Sequence, residues 1–154
     1  MPSLLYRWFG IGKFPEPLIA FASDPAVFLA KEDLSITYKC RQLRVPGRRA
    51  SKAASLQRGS VVMSPDRFAL SITKRVAIDG RYDATSTDAP VALSITDSAL
   101  HISIDVARAD PNSTGTIEIL VRVPLTHQER AMVPSTKQYL AMNAAEVCNV
   151  ARWS

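Results

Sequence analysis

The sequence is poor in the residues that most often carry chemistry or cross-links. Two cysteines, Cys40 and Cys148, occur in 154 residues, too few and too far apart for a disulfide framework. Two histidines, His101 and His127, have no second histidine or cysteine at metal-ligand spacing, which excludes the common zinc motifs. Six glycines are scattered singly, so no glycine-rich phosphate loop is present. No apolar run approaches the roughly 18 residues of a membrane-spanning helix. The stretch from Met1 to Gly10 is soon followed by Lys13, Pro15, Glu16 and Pro17, unlike a secretory signal. The expected location is therefore the cytoplasm or its membrane surface, with both cysteines as reduced thiols. Asp79, Asp83 and Asp88, and then Asp105 and Asp110, fit no calcium loop and read as solvated turns. Asp97 reads the same way. No serine sits in a nucleophile elbow. With no convergent polar set, the chain reads as non-enzymatic and without a cofactor.

Acid is missing from one long stretch. Between Leu34 and Pro65 there is no Asp or Glu, while Lys39, Arg41, Arg44, Arg48, Arg49, Lys52 and Arg58 all fall there. That fifth of the chain carries +7, and the remainder, with 12 basic and 14 acidic residues, carries −2. A concentrated positive field attracts anions and speeds encounter with them. Five of the seven are arginines, which grip phosphate or carboxylate through paired hydrogen bonds. The plain alternative is a solvated face that aids solubility.

What is present is an ordinary globular composition, 47% hydrophobic and 21% charged, at a length suited to one domain. Residues 1–31 form a Pro/aromatic arm. Prolines 15, 17 and 25 forbid one long helix, but Leu18–Ala22 and Pro25–Lys31 suit short helical turns, with Asp24 as a cap before Pro25. Leu4, Leu5, Trp8, Phe9 and Ile11, with Arg7 and Lys13, could suit a membrane interface. Gly10 and Gly12 weaken a helix there, and burial over the domain, or against a second subunit, is the preferred reading. Residues 32–154 form a single β domain. Leu34, Ile36, Tyr38 and Cys40 alternate with polar residues as in a half-buried strand. The apolar phase then slips to Leu43 and Val45, which predicts a bulge near Arg41 or Gln42. Pro46-Gly47 ends the strand, and Arg48–Arg58 reads as a basic loop. Further strands follow at Gly59–Met63, Phe68–Thr73, Val76–Ile78, Val91–Thr96, Leu100–Ala107 and Ile117–Val123. Asp66 and Arg67 could form a local ion pair in the turn between two of them.

After Pro124 the pattern turns helical. Thr126 with Glu129, and Ser135 with Gln138, have capping-box spacing. Leu140, Ala144, Val147 and Ala151 form a stripe flanked by Tyr139, Cys148 and Trp153, which predicts an amphipathic C-terminal helix of three or four turns. The fold class is mainly β (α+β): six to seven antiparallel strands in a bent sheet or partial barrel, capped by that helix. This order, with Gly59-Ser-Val-Val-Met-Ser-Pro-Asp-Arg-Phe-Ala-Leu, resembles the pleckstrin-homology-like superfold in its bacterial and GRAM-like branches, over about residues 32–150. The resemblance implies a non-catalytic binding module in which basic residues on and after the first strand hold anionic headgroups. Lys39, Arg41, Arg44, Arg48, Arg49 and Lys52 stand at the matching place, and the implied partner is an anionic lipid or an acidic protein surface. Nucleic acid is disfavoured, because Tyr38 is the only ring in the stretch and lies on its apolar side. A structural or homo-oligomerising role is the remaining alternative.

Overall fold

The computed structural model describes residues 3–83, 88–96 and 98–151. The readings of Asp97 and Trp153 lie outside those residues, as does the middle of the polar stretch after Arg81. Two short helices come first, α1 (Leu4–Phe9) and α2 (Glu16–Ala22). Then come the strands β1 (Leu29–Val45), β2 (Arg48–Met63), β3 (Arg67–Ile72), β4 (Arg75–Arg81), β5 (Val91–Thr96) and β6 (Ala99–Asp105). The chain ends with α3 (Val106–Ala109), β7 (Thr114–Arg122), α4 (His127–Met132), β8 (Gln138–Leu140) and α5 (Ala144–Ala151).

The strands make one antiparallel sheet in the order β4-β3-β2-β1-β7-β6-β5-β8. A single bridge between Tyr82, just beyond β4, and Leu140 of β8 brings its two ends together, so the sheet curls into a nearly closed barrel. Residues of period two line its interior: Ile36 and Tyr38 of β1, Phe68 and Leu70 of β3, Leu93 of β5, Ile102 of β6 and Ile119 of β7 are all buried. Helix α5 adds Val147 and Val150 to this core, and the Tyr38 hydroxyl donates to the Val150 carbonyl at 3.1 Å.

Several expectations are corrected. The segment Arg48–Arg58 is strand, not loop. Its own pattern is weak, but β1 pairs with it antiparallel from Ser35 opposite Arg58 to Val45 opposite Arg48, and a partner's ladder overrides a poor pattern. Among the described residues the strands number eight rather than six or seven. The extra one is β8, where Gln138–Leu140 pairs with Leu93, Ala92 and Val91 of β5. Leu140 is thus buried as a strand residue, and the helical stripe loses its first member. No helix starts at Ser135. The C-terminal helix is capped instead by Asn143 and Glu146, each side chain accepting the other's backbone N–H at 2.9 and 3.1 Å, and it spans two turns to Ala151. Asp24 caps no helix either; its carboxylate accepts from the Ala26 N–H at 2.9 Å in a turn, and β1 already begins at Leu29. By contrast, Thr126 and Glu129 do form a reciprocal capping box on α4.

The arm covers one part of the barrel's outside. Leu18 and Phe21 of α2 are buried against Val62 of β2 and Ala69 of β3, with Phe14 and Val27 packed around them. The Arg67 guanidinium lies 4.1 Å from the Phe21 ring centroid and grips Asp79 with two hydrogen bonds of 2.9 and 2.7 Å. Asp66 pairs with Arg81 instead, at 2.9 Å, so the adjacent residues Asp66 and Arg67 do not pair with each other. Strand register puts Arg81 opposite Arg67 and Asp79 opposite Ala69, both on β4 next to the turn.

The root of the arm is polar. The Asp33 carboxylate accepts from the Ser3 N–H at 2.5 Å, the Ser3 hydroxyl at 2.7 Å and Arg58 Nε at 3.0 Å. Burial pushes the Asp33 carboxyl up, but the Ser3 and Arg58 hydrogen bonds and the Arg58 charge more than offset it, and the group sits below its ordinary range. Glu129 is lowered likewise: burial raises it, and the Thr126 N–H and Lys31 bring it down. A carboxylate lowered by folding stabilises the fold above its unfolded pKa and loses that contribution as pH falls through the folded one. Thermal melts between about pH 5 and pH 3 should therefore show a falling midpoint. Asp33→Asn should flatten part of this slope, and an unchanged slope would count against the assignment.

Candidate anion-binding face

Strands β1 and β2 form a long hairpin whose distal half projects beyond the pairing with β3, since β3 meets β2 only over Gly59–Met63. The turn is Pro46-Gly47, with Gly47 at φ 80, the residue order of a type II turn. A two-residue turn fixes the register by counting: Val45 faces Arg48, Arg44 faces Arg49, and Arg41 faces Lys52.

A bulge decides which side these residues take. Relative to β7, β1 carries one extra residue between Arg41, opposite Thr116, and Arg44, opposite Thr114. Gln42 occupies that step at φ 49. The extra residue keeps Leu43 and Val45 buried after Cys40, and so keeps both Arg41 and Arg44 on the outer, exposed side. Gly115 is the residue that lets β7 pass. At φ 108, a Cβ there would stand 2.6 Å from the Gln42 carbonyl oxygen and 2.7 Å from the Leu43 Cα. Gly115→Ala is expected to cost about 2–3 kcal/mol, through backbone strain and crowding, read as a lower urea midpoint.

The six candidate residues therefore separate. Arg41, Arg44, Arg49 and Lys52 are exposed on one outer face as two directly opposed cation pairs. Arg44 and Arg49 line a hollow of about 360 Å³ together with Gln42, Ser51 and Thr114. Lys39 is on the same face, further toward the barrel body and opposite Glu118 of β7. It borders a second hollow with His101 and Lys137. Arg48 does not join them. It opposes the buried Val45, is half-buried, and has interactions of its own. Neighbours along a strand point to opposite faces, so Arg48 and Arg49 cannot act as a pair. Arg58, the seventh basic residue, is neutralised by Asp33 at 2.7 Å.

The ion pairs among the described residues join Lys31 to Glu129, Arg58 to Asp33, Arg67 to Asp79, Arg81 to Asp66 and Arg108 to Asp105. None involves the four outer cations. Like charges directly opposite on a sheet destabilise it, and here two such pairs stand in succession. Sequence reasoning missed the opposition of Arg44 to Arg49 and the part played by Thr114 and Gly115.

Cys40 is buried in the core and Cys148 half-buried, both as free thiols. Among the described residues no three His, Cys, Asp or Glu side chains gather as a metal site, and no helix is long and apolar enough to cross a membrane. Neither a family model, nor a curated protein, nor a solved structure matches this chain.

Proposed function

We propose that the protein is a non-catalytic binding module of pleckstrin-homology-like type, needing no cofactor, whose hairpin face takes a phosphate-bearing anionic partner, first a phospholipid headgroup. One observation carries this reading: Arg41 opposite Lys52 and Arg44 opposite Arg49, exposed on one face and outside the ion pairs of the described residues. An anion bridging opposed guanidinium groups removes their repulsion and adds charge-assisted hydrogen bonds. The meander joined through β1 and β7, with a helix packed into the core after the last strand, supports the resemblance. A cytoplasmic, membrane-peripheral location follows from this reading. An acidic protein surface is the second partner class, and nucleic acid stays disfavoured because the face carries no exposed ring.

The structural alternative draws on a different observation. Among the described strands only β1 pairs with Arg49–Gln57, and a second chain would add at the other edge of β2. Basic side chains along such an edge oppose pairing with a copy of itself.

Sedimentation with phosphatidylcholine vesicles, and with vesicles containing phosphatidylglycerol, tests the proposal at low and physiological salt. Binding confined to the anionic vesicles and weakened by salt is expected. An acidic polypeptide and a labelled DNA, titrated in parallel, separate the partner classes. No binding to anionic vesicles at low salt overturns the lipid reading.

A further inference from the structure

Helix α1 is amphipathic in the reverse sense. At 100° per residue, Leu4, Trp8, Leu5 and Phe9 fall within one arc of a helical wheel. Leu4 is 72% exposed, Trp8 77%, Phe9 62% and Leu5 45%. No residue of α1 is buried. Its polar side faces the protein instead. The Tyr6 hydroxyl donates to Glu32 at 2.5 Å, and Ser3 both caps the helix and binds Asp33. Beyond the helix, Gly12 donates to the Thr73 carbonyl at 3.2 Å and accepts from the Asp33 N–H at 3.0 Å. The helix is therefore held at its root by hydrogen bonds while its apolar arc is turned to the outside. An arm that only needed burial would be the other way round, as α2 is.

Its surroundings say what the arc meets. Arg7 is exposed on the helix, and exposed Lys13 stands over the Tyr6 ring at 5.2 Å. Lys74 and Arg75 follow Thr73 directly and are exposed too. The carboxylates at the root, Glu32 and Asp33, are already engaged by Tyr6, Phe14, Ser3 and Arg58. An apolar arc containing Trp and Phe, rimmed by cations, matches the chemistry of an anionic bilayer surface. It suits a second protein copy less, because four side chains of a six-residue helix cover less than the roughly 800 Å² per partner of a stable dimer.

We propose that α1 is an interfacial membrane anchor, inserting Leu4, Leu5, Trp8 and Phe9 among the lipids of an anionic bilayer while Arg7, Lys13 and Lys74 contact headgroups. This does not rest on the hairpin's role. The test is emission from Trp8 in a Trp153→Phe background, titrated with phosphatidylcholine/phosphatidylglycerol vesicles, some carrying brominated acyl chains. A blue shift and quenching by brominated lipid are expected. Trp8→Ser with Leu4→Ser, in the otherwise native chain, should lower vesicle partitioning about tenfold or more, with circular dichroism unchanged because neither side chain is buried. Arg44→Glu with Arg49→Glu should leave the Trp8 shift at saturating lipid intact, so a failure of the hairpin proposal is read separately. An unshifted Trp8, or partitioning indifferent to the serine substitutions, overturns the anchor. So does a dimer in light scattering that the serine substitutions dissolve.

Discussion

Gly59→Ala is expected to lower the stability of the protein by about 3 kcal/mol or more, and so to shift urea and thermal midpoints further than alanine at any other glycine of the chain. Gly59 is where β2 leaves the two-stranded hairpin and is joined by β3, opposite Leu34 on one side and Ile72 on the other. A Cβ at this position would stand 2.0 Å from the Ser71 carbonyl oxygen and 2.4 Å from Ile36 Cδ1. The Ile36 tip can rotate, but the Ser71 carbonyl belongs to the paired strand β3. Moving it would also disturb Ser60 and Ser71, which are fully buried and hydrogen-bonded to each other. A strand corner of this kind admits another backbone only where no side chain intervenes. Gly47→Ala is the control. Nothing lies within 4 Å of a Cβ there, though φ is 80, so the cost should stay near 1 kcal/mol from conformation alone. Equal losses for the two substitutions would show that crowding at the corner is not what matters.

The parts of the fold legible in the sequence are those where a strand buries one face. Leu34 to Cys40, Leu100 to Ile104 and Ile117 to Val121 alternate because the barrel interior takes every second residue; Phe68 to Ile72 alternates in sequence but is buried on both faces, since α2 covers Ala69 from outside. The bulge was legible as a slip in the same alternation. What stayed hidden were strands defined by their partners. Arg48–Arg58 has almost no buried side chain, and Gln138–Leu140 is three residues long. Each is strand because a neighbour with a strong pattern supplies hydrogen bonds, and that is a tertiary fact. The site was half legible. Absence of acid marks the candidate segment, but reading it as a loop leaves the side-chain directions unassigned. Pro46-Gly47 held the missing step: treated as a two-residue turn, it opposes Arg44 to Arg49 and Arg41 to Lys52 by counting, and it turns Arg48 away. Helix α1 misled for another reason. Its apolar spacing is that of a buried helix, and only the Ser3, Tyr6 and Glu32 contacts show which side is down.

Arg49→Glu is expected to move stability and binding in opposite directions. Opposite Arg44, the new carboxylate replaces a repulsive pair with a cross-strand ion pair. A gain of about 0.2–1 kcal/mol follows if the pair behaves like others on exposed sheets. The same change removes one positive charge from the face and adds a negative one. At about 1 kcal/mol per basic residue near an anionic surface, affinity for phosphatidylglycerol-containing vesicles should fall roughly tenfold to hundredfold at low salt. Reversing Arg44 as well recreates a like-charge pair, now of carboxylates, so the stability gain should vanish while binding falls further. Arg130→Glu on α4 supplies the reference, since Arg130 is exposed and its neighbour Glu129 is tied to Lys31 at the base of β1, 13 residues before Arg44, and the substitution changes net charge by the same amount. If Arg130→Glu weakens binding as much as Arg49→Glu does, the vesicles respond to total charge and the hairpin has no special part. A stabilised Arg49→Glu protein that no longer binds would instead show that the chain keeps its opposed cations for the partner and not for the fold.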